Sequence, residues 1–384
     1  MKVDFYRHPL SKSDAAAIAG VLDTPFLTTG KVCASVERQL EEYFGVPYAI
    51  MVNSWTNGAF AVLLALDLQP DDEVIVPAMT FIATANVVVL AGGTPVFVDV
   101  DPGTLLMMPH AVEKAISSRT RAIIPVHLYG QMCDMRGIQD VVHRACSYAR
   151  RPIIIEDCAH CFEGTREAYR PGRHSDVAIF SFYATKNVTC GEGGAAIFNS
   201  EELYQSTLES RSHGMSALAI DRFSNGRYNH WDMNRLGTKA NLPDLLAALL
   251  PQQIATIDDR LPERKRLADR YRAAFKGGPL RLVDQIDTTV SAEHLFAIGI
   301  GNDARDVAIA RLNEAGVGVT VNYRSVPELH FYRRQLERSD NAWPVAKRWG
   351  NETLSLPLFP GLCEAEQDYV IATVKRAVYP LAAS

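Results

Sequence analysis

Short apolar runs alternate with amphipathic segments through the first part of the chain. The runs are rich in Val and Ile and lack polar interruptions, which is typical of strands buried on both faces. The predicted strands are residues 48–52, 73–77, 94–100, 122–126, 152–156, 177–180 and 195–198. The predicted helices are residues 13–22, 34–44, 59–66, 82–91, 110–115 and 139–148, the first of them capped by Ser13 and Asp14. This alternation predicts an α/β fold with a mostly parallel central sheet covered by helices on both faces.

The pattern changes after residue 240. Residues 242–275 are strongly helical, with breaks expected at Pro251 and Pro262. A strand at 293–300, a helix at 304–315, a strand at 318–323 and a helix at 364–378 follow. We therefore expect two domains, a large α/β domain over residues 1–255 and a smaller C-terminal α+β domain over residues 256–384.

Composition and charge disfavour several classes of protein. The 384 residues are 47% hydrophobic and 22% charged, with a net charge of −5 and no basic block, so nucleic-acid binding is disfavoured. No apolar run is long enough to span a bilayer, and the N-terminus lacks the apolar core of a signal peptide. Seven scattered cysteines fit reduced thiols better than a disulfide framework. We expect a cytoplasmic protein that binds neither nucleic acid nor membranes.

A single lysine lies between two predicted strands. Lys186 follows the strand 177–180 and precedes a glycine cluster, Gly191-Glu-Gly-Gly, which leads into the strand 195–198. Partial desolvation on such a loop lowers the pKa of an amine, and a neutral amine can form a Schiff base with an aldehyde. The glycines leave room for a planar ligand. The alternative is an ordinary solvated lysine, which only partners elsewhere in the chain can exclude.

Two polar residues follow the predicted strand 152–156. Asp157 comes directly after the strand, and Lys186 lies 29 residues later, one strand-to-strand step away. A carboxylate at a strand's end can reach a ligand beyond the sheet, and beside a pyridine nitrogen it keeps that nitrogen protonated. His160 could contact a hydroxyl oxygen of the same ring. Alternatively, Asp157 caps a helix and His160 is a structural histidine.

A phosphate site is predicted where the strand 48–52 passes into the helix 59–66. The segment Asn53-Ser-Trp-Thr-Asn-Gly58 supplies backbone N–H groups and hydroxyls at a helix start, and Ser181 could add another hydroxyl. A plain N-cap is the alternative interpretation. Phe81, at the end of another strand, could stack on a flat ring or belong to the core.

Two further motifs do not carry the function. Cys158-Ala-His-Cys161 has the C-x-x-C spacing, but no second cysteine pair at zinc-site spacing exists and the strand context differs from that of thioredoxin. We expect no metal site. The Gly191-Glu-Gly-Gly cluster precedes a strand instead of opening a helix, which disfavours a dinucleotide site.

Together these residues resemble the DegT/DnrJ/EryC1/StrS family of sugar aminotransferases, which use pyridoxal 5′-phosphate (PLP). The resemblance covers nearly the whole chain, and the motifs occur in the family's order. The Lys186 loop and Gly237-Thr-Lys-Ala-Asn-Leu242 are most similar to the branch that aminates a UDP-4-keto-pentose. The motifs are Asn53-Ser-Trp-Thr, Pro77-Ala-Met-Thr-Phe, Gly93-Thr-Pro-Val-Phe-Val-Asp-Val-Asp101, Pro125-Val-His-Leu-Tyr-Gly130, Ile155-Glu-Asp-Cys-Ala-His160, Ser181-Phe-Tyr-Ala-Thr-Lys186, Gly191-Glu-Gly-Gly194 and Leu354-Ser-Leu-Pro-Leu-Phe-Pro360.

The resemblance implies a fold-type I (aspartate aminotransferase-like) PLP enzyme. Its substrates would be an amino-acid donor, glutamate, and a keto group on a nucleotide-linked sugar, and its active sites would be shared in a homodimer. Lys186 would hold the cofactor and move protons, and Tyr323 and His330 would lie near the sugar. The implied cofactor contacts are Trp55, Thr56, Phe81, Asp157, His160 and Ser181, with Asn225 or Asn241 of a neighbouring subunit at the phosphate.

Three departures from the family pattern affect this expectation. Trp55 stands where glycine or alanine is usual, so its indole is expected to crowd the mouth of the pocket. Lys239 stands where many members have asparagine. The segment Asn322-Tyr-Arg-Ser-Val-Pro327 has neither the histidine or aromatic residue that often precedes the tyrosine in the family's sugar loop nor the histidine four positions on. His330 comes three residues later.

Three alternative functions follow. A cyclitol or other keto substrate and a PLP-binding regulatory protein without turnover stay open. A sugar dehydratase is disfavoured, because those relatives have histidine in place of Lys186.

Overall fold

A seven-stranded sheet forms the centre of the computed structural model, which describes residues 1–145, 151–216, 230–301, 303–336 and 342–382. Its strands are β1 (Tyr48–Val52), β2 (Glu73–Pro77), β3 (Thr94–Val98), β4 (Thr120–Ile123), β5 (Ile153–Asp157), β7 (Val177–Ser181) and β8 (Gly194–Phe198). They lie in the order β1-β8-β7-β5-β4-β2-β3. β8 is antiparallel to its two neighbours, and the other pairs are parallel. The predicted mostly parallel sheet is therefore confirmed.

Alternate residues of each central strand pack on opposite faces of the sheet. In β7, Ala178 and Phe180 join the apolar cluster that contains Leu40 of helix α2 (Lys31–Phe44). Val177 and Ile179 join the cluster on the other face, which contains residues of helix α3 (Trp55–Ala65). Both faces bury apolar side chains, which explains why these strands read as continuous apolar runs.

The remaining helices cover the sheet or form the C-terminal part of the chain. They are α1 (Lys12–Leu22), α4 (Ala83–Leu90), α5 (Pro109–Ala115), α6 (Met135–Arg144), α7 (Glu201–Ser210), α8 (Asp244–Ala247), α9 (Pro251–Ala255), α10 (Ile257–Phe275), α11 (Arg305–Glu314), α12 (His330–Arg333), α13 (Pro344–Glu352), α14 (Glu364–Ala377) and α15 (Tyr379–Ala382). Residues 146–148 of the predicted helix 139–148 lie outside the described residues. No helix of the described ranges is both long and apolar enough to cross a membrane.

Local hydrogen bonds move two helix starts from their predicted positions. α3 begins at Trp55, four residues before the prediction, because the hydroxyl of Ser54 accepts a hydrogen bond from the backbone N–H of Asn57 at 3.1 Å. At α1 the cap is Ser11, whose backbone N–H donates to the carboxylate of Asp14 at 2.7 Å.

Two predictions for the C-terminal part of the chain are wrong, a helix break at Pro262 and a strand at residues 318–323. Pro262 does not break the helical segment, because it lies in the second turn of α10, where only one hydrogen bond to the first turn is lost. Residues 318–323 do not form a strand. Gly318 donates to Val3, whereas Thr320 bridges to Ser355, so the chain lacks a continuous ladder with either neighbour before it turns into the active-site cleft.

The C-terminal part contains a small antiparallel sheet. Its strands are β9 (Arg281–Leu282), β11 (Phe296–Gly299) and β12 (Thr353–Leu356), in the order β12-β11-β9, and a separate short pair joins β6 (Thr165–Arg166) to β10 (Thr289–Val290). The apolar cluster of this part also includes Val3. The division near residue 255 stays a prediction, with the first residues of the chain packed against the C-terminal core.

Candidate active site

The carboxyl ends of β1, β2, β5 and β7 lie at one edge of the sheet, and a cleft of about 560 Å³ opens there. This volume is in the range of small-molecule binding sites. Eight of the predicted site residues line it: Trp55, Thr56, Phe81, Asp157, His160, Ser181, Lys186 and Tyr323. The fold therefore brings together side chains that are far apart in the sequence.

Lys186 is held on the loop between β7 and β8 by backbone hydrogen bonds. Phe182 N–H donates to the carbonyl of Gly193 at 2.8 Å, and Lys186 N–H donates to the carbonyl of Tyr183 at 2.9 Å. Burial lowers the pKa of the Lys186 amine to about 8, and the charge of Asp157 acts in the opposite direction. No hydrogen bond or ion pair joins Nζ to another residue of the described ranges, so the amine is available to a ligand.

Asp157 is the last residue of β5 and is buried at the floor of the cleft. Its carboxylate accepts hydrogen bonds from Thr84 Oγ1 at 3.0 Å and from the backbone N–H of Ala159 at 3.1 Å. Burial raises the pKa of Asp157 to about 6, while these two hydrogen bonds and the charge of Lys186 favour the ionised form. The carboxylate is therefore mostly charged at neutral pH.

The hydrogen bonds of His160 fix its tautomer. Nδ1 accepts a hydrogen bond from the backbone N–H of Tyr129 at 3.2 Å, so in the neutral ring Nε2 carries the proton and donates it to the hydroxyl of Tyr323 at 3.0 Å. Burial, and then the charge of Lys186, hold the pKa of His160 well below its usual value. Because the Tyr323 oxygen accepts from His160, the hydrogen of its own O–H group can be donated elsewhere.

The start of α3 offers backbone donors to the cleft. Ser54 caps the helix, and the N–H groups of the first turn, including those of Trp55 and Thr56, have no helical acceptor. Gly194 permits this approach, because a Cβ there would lie 2.6 Å from the carbonyl oxygen of Phe180 and 2.9 Å from the nitrogen of Trp55. Ser181, at the end of β7, lines the same region. A helix N-terminus with adjacent hydroxyls favours an anion such as phosphate.

The side chain of Trp55 does not crowd the mouth of the cleft, contrary to expectation. It is only 5% exposed and belongs to the main apolar cluster. Its indole Nε1 is buried and has no hydrogen-bond partner among the described residues. The Trp55 side chain therefore packs in the apolar core.

The other predicted residues differ in how they relate to the cleft. Phe81 is 51% exposed, and its ring centroid lies 5.4 Å from that of Tyr323. His330 is exposed at the start of α12 and does not line the cleft. Asn241 does not line it either, because its amide donates to Ser212 Oγ at 3.2 Å and accepts from Lys239 Nζ at 2.8 Å. Asn225 lies outside the described residues.

Sequence reasoning missed several residues of the site. The hydroxyls of Thr80 and Thr84 are 2.9 Å apart. Their spacing of four residues, at the start of a mostly apolar helix, could have indicated from the sequence that the two side chains lie on one side of the chain. Tyr129 donates its hydroxyl to the carbonyl of Asn322 and thereby holds the segment that carries Tyr323. Phe5 also lines the cleft, because Val3 pairs with Val317. Contacts between residues so far apart in the chain produce no local sequence pattern from which these site residues could have been predicted.

The C-x-x-C motif has neither an exposed nor an activated thiol. Cys158 and Cys161 are buried, and their thiols contact the carbonyl oxygens of Glu156 and Gly130. Burial raises the pKa of both thiols well above its usual value, which disfavours the thiolate that redox exchange or metal binding requires.

A mostly parallel sheet with an amine and a carboxylate meeting beyond its carboxyl ends is the architecture of fold-type I PLP-dependent aminotransferases. The chain belongs to the DegT/DnrJ/EryC1/StrS aminotransferase family, whose sequence profile matches residues 9–375. The predicted family, fold class, enzyme class and PLP cofactor are thereby confirmed.

The comparisons with individual proteins extend over almost the whole chain. SpsC, a spore coat polysaccharide biosynthesis protein of Bacillus subtilis (strain 168), is 33% identical over 380 residues, which cover 97% of this chain and 96% of SpsC. The candidate sugar aminotransferase Spr1654 from Streptococcus pneumoniae, in its PMP form, superimposes with a TM-score of 0.92 at 29% identity, covering 99% of this chain and 100% of that chain. S. venezuelae DesV, solved in complex with a ketimine intermediate, gives a TM-score of 0.85 at 30% identity, covering 95% of this chain and 94% of DesV.

Proposed function

We propose that this chain transfers an amino group from an amino acid, glutamate, to a ketone of a nucleotide-linked sugar, in the synthesis of an amino sugar for a glycan or secondary metabolite. The observation that carries the proposal is the cleft in which Lys186, with its pKa lowered, and the ionised Asp157 face the start of α3. Support for a sugar substrate comes from SpsC, named for polysaccharide biosynthesis, and from Spr1654, named as a candidate sugar aminotransferase.

The residues of the cleft suit PLP by their chemistry. Lys186 supplies an amine for the aldehyde carbon, and Asp157 supplies a negative charge for the pyridine nitrogen. The backbone N–H groups of Trp55 and Thr56, with the hydroxyl of Ser181, form an anion site for the phosphate. When bound, PLP supplies an electron sink for the negative charge that develops at the donor's Cα. Phe81 would contact the ring, and His160 would lie near the 3-oxygen.

Proton movement in this proposal belongs to Lys186. Its Nζ would accept the proton that leaves Cα of the amino donor and would deliver it where the 1,3-proton shift requires it. In the second half-reaction it would act in the opposite sense on the keto substrate. A general base works best when its pKa lies close to the working pH, which the burial of Lys186 provides. Asp157 would hold its negative charge beside the pyridine nitrogen and so favour the protonated form of that nitrogen.

The proposal includes a cytoplasmic homodimer in which each active site contains residues of both subunits. In a single chain, Phe81 and Tyr183 line the cleft while 51% and 46% exposed. Large aromatic side chains with this exposure support a partner subunit that covers them. Asn225 or Asn241 of that partner, or Lys239 beside Asn241, would complete the phosphate site.

The amino donor and the keto substrate are tested separately. Glutamate added to the PLP-loaded protein should shift the cofactor absorbance from ~420 nm to ~330 nm. The glutamate-treated protein is then mixed with a panel of nucleotide-linked keto-sugars and cyclitol ketones, and return of the ~420 nm band identifies the acceptor. Recovery with cyclitol ketones alone would favour a cyclitol aminotransferase. Absence of any shift with every amino donor would favour a PLP-binding regulatory protein.

A further inference from the structure

A second polar region adjoins the cleft at Lys186. A void of about 10 Å³ is lined there by Lys186, Asn187, His160 and His294, together with apolar side chains and Ser181. The rings of His160 and His294 lie 4.5 Å apart, centroid to centroid. The proposed function assigns no role to Asn187 or His294, although both are buried next to the reactive amine.

The amide of Asn187 has a single self-consistent orientation. Its Nδ2 donates to Glu163 Oε1 at 2.6 Å and to the carbonyl oxygen of Ala292 at 2.9 Å, which uses both of its hydrogens. A rotated amide would place Oδ1 against a carboxyl oxygen and a carbonyl oxygen. Oδ1 therefore faces His294 Nδ1 at 3.0 Å, and because Oδ1 can only accept, Nδ1 must carry the proton.

This contact determines which nitrogen of His294 is free. In the neutral imidazole with a proton on Nδ1, Nε2 holds a lone pair, and no partner of Nε2 is found in the described ranges. Burial, followed by the charges of Lys186, His160 and Arg264, holds the pKa of His294 well below its usual value, so the ring stays neutral. His294 is thus a neutral hydrogen-bond acceptor that shares a void with Lys186.

We propose that Asn187 and His294 are positioning residues for Lys186: Asn187 fixes the tautomer of His294, and His294 Nε2 accepts a hydrogen bond from the Lys186 amine when the lysine side chain turns from the open cleft toward the void. This bond keeps the amine at the border between void and cleft during the interval between the half-reactions, so that its position does not depend on free rotation of the lysine side chain. This inference rests on the role proposed for Lys186, but it concerns the cofactor-free protein as well.

The charged groups around Lys186 come from several elements. Asp157 at the end of β5 faces the amine across the cleft, and His160 and His294 face it across the void. Behind Asn187 lies Glu163, whose pKa burial raises to about 7, with Arg264 of α10 beside it. Asn187 therefore separates this carboxyl group from the lysine, so that the acceptor next to the amine is a neutral one.

The test measures the Lys186 amine in cofactor-free protein. Trace labelling with acetic anhydride over a pH series, read by mass spectrometry of the Lys186 peptide, gives the pKa of the amine. In His294→Leu the ammonium loses an acceptor, so we expect that pKa to fall by about 0.5–1 unit. His294→Gln retains an acceptor oxygen and should stay close to wild type. In the PLP-loaded enzyme, His294→Leu should lower kcat about tenfold while KM changes less than about twofold.

Two further variants keep the proposal falsifiable. Asn187→Ala retains the imidazole of His294 but no longer fixes its tautomer, so the pKa of the Lys186 amine should fall by a smaller amount. This variant also tests the inference if His294→Leu does not fold. Gln367→Leu is the control: Gln367 is fully buried in the C-terminal core, where its amide donates to the carbonyl of Leu267, and it should destabilise the fold without moving the Lys186 pKa. An unchanged amine pKa in folded His294→Leu or Asn187→Ala, or an equal shift in Gln367→Leu, would overturn the inference. Loss of PLP attachment at Lys186 would instead contradict the proposed function.

Discussion

Asp157 and Lys186 face one cleft from adjacent parallel strands, and burial moves their pKa values toward each other. The carboxyl of Asp157 has its pKa raised to about 6, and the amine of Lys186 has its pKa lowered to about 8. At pH 7 such an amine is about 10% neutral, against about 0.03% at its usual pKa. One physical cause, removal from water, thus prepares a nucleophilic amine next to a carboxylate that is still charged.

The rate of PLP capture should follow the ionisation of Lys186. Only the neutral amine attacks the aldehyde, so the capture rate of cofactor-free protein should rise with pH and level off above about 8. Stopped-flow absorbance measures it. Asp157→Asn removes the charge that favours the ammonium, so levelling should move to a lower pH. Levelling close to pH 10 would show that Lys186 is solvated.

Replacing Asp157 by asparagine should separate cofactor attachment from catalysis. The amide keeps the size of the carboxyl group but carries no charge to protonate the pyridine nitrogen. We expect the rate of the glutamate half-reaction to fall about 10²-fold or more, while PLP remains attached to Lys186. Asp244→Asn is a matched control, since Asp244 is buried and accepts backbone hydrogen bonds from Gly30, Val32 and Cys33 outside the cleft. Equal losses in both variants would indicate a general effect on folding.

Thr84→Val should shift the pH profile of the reaction. The hydroxyl of Thr84 stabilises the ionised form of Asp157, and a hydrogen bond to a charged group contributes about 1.5–3 kcal/mol. The acid limb of kcat/KM, which reports the free enzyme, should therefore move upward by about one pH unit. Thr207→Val removes an equally buried hydroxyl from α7, where it donates to the carbonyl of Leu203, and should leave the acid limb unchanged. If the acid limb of the kcat/KM profile of Thr84→Val stays at its wild-type pH, the Thr84 hydroxyl does not set the ionisation of Asp157.

Trp55 and Phe81 should differ in what they contribute to stability. Trp55→Ala empties part of the main apolar cluster and should lower the free energy of unfolding by about 3–5 kcal/mol, measured by urea denaturation. Phe81→Ala removes a half-exposed ring and should cost about 1 kcal/mol or less. A small loss for Trp55→Ala would show that the indole lies in the cleft after all.

The sequence was informative where one local pattern carries the structure. Continuous apolar runs located β1, β2, β7 and β8 to within a residue or two, because strands buried on both faces consist mostly of apolar residues. Asp157 at the carboxyl end of β5 and Ser181 at that of β7 could be placed at one edge of the sheet, because a parallel sheet brings these strand ends together. Order and spacing therefore marked the lysine, the aspartate and the segment 53–58 as candidates, whereas the roles expected for them came from the family resemblance.

The remaining features depend on contacts between distant parts of the chain. Phe5 enters the cleft only because Val3 pairs with Val317, and the segment 318–323 forms no strand because its hydrogen bonds go to two different neighbours. The tautomers of His160 and His294 depend on Tyr129 and Asn187, which are remote from them in sequence. Helix α10 continues through Pro262 because tertiary packing of Leu267 and Tyr271 outweighs one lost hydrogen bond.

Borohydride reduction of the PLP-loaded protein, followed by peptide mass spectrometry, tests the central claim most directly. The account predicts that the reduced cofactor is found on the peptide containing Lys186, and that Lys186→Ala abolishes both this label and turnover with glutamate. A label on another lysine, or retained turnover in Lys186→Ala, would contradict it.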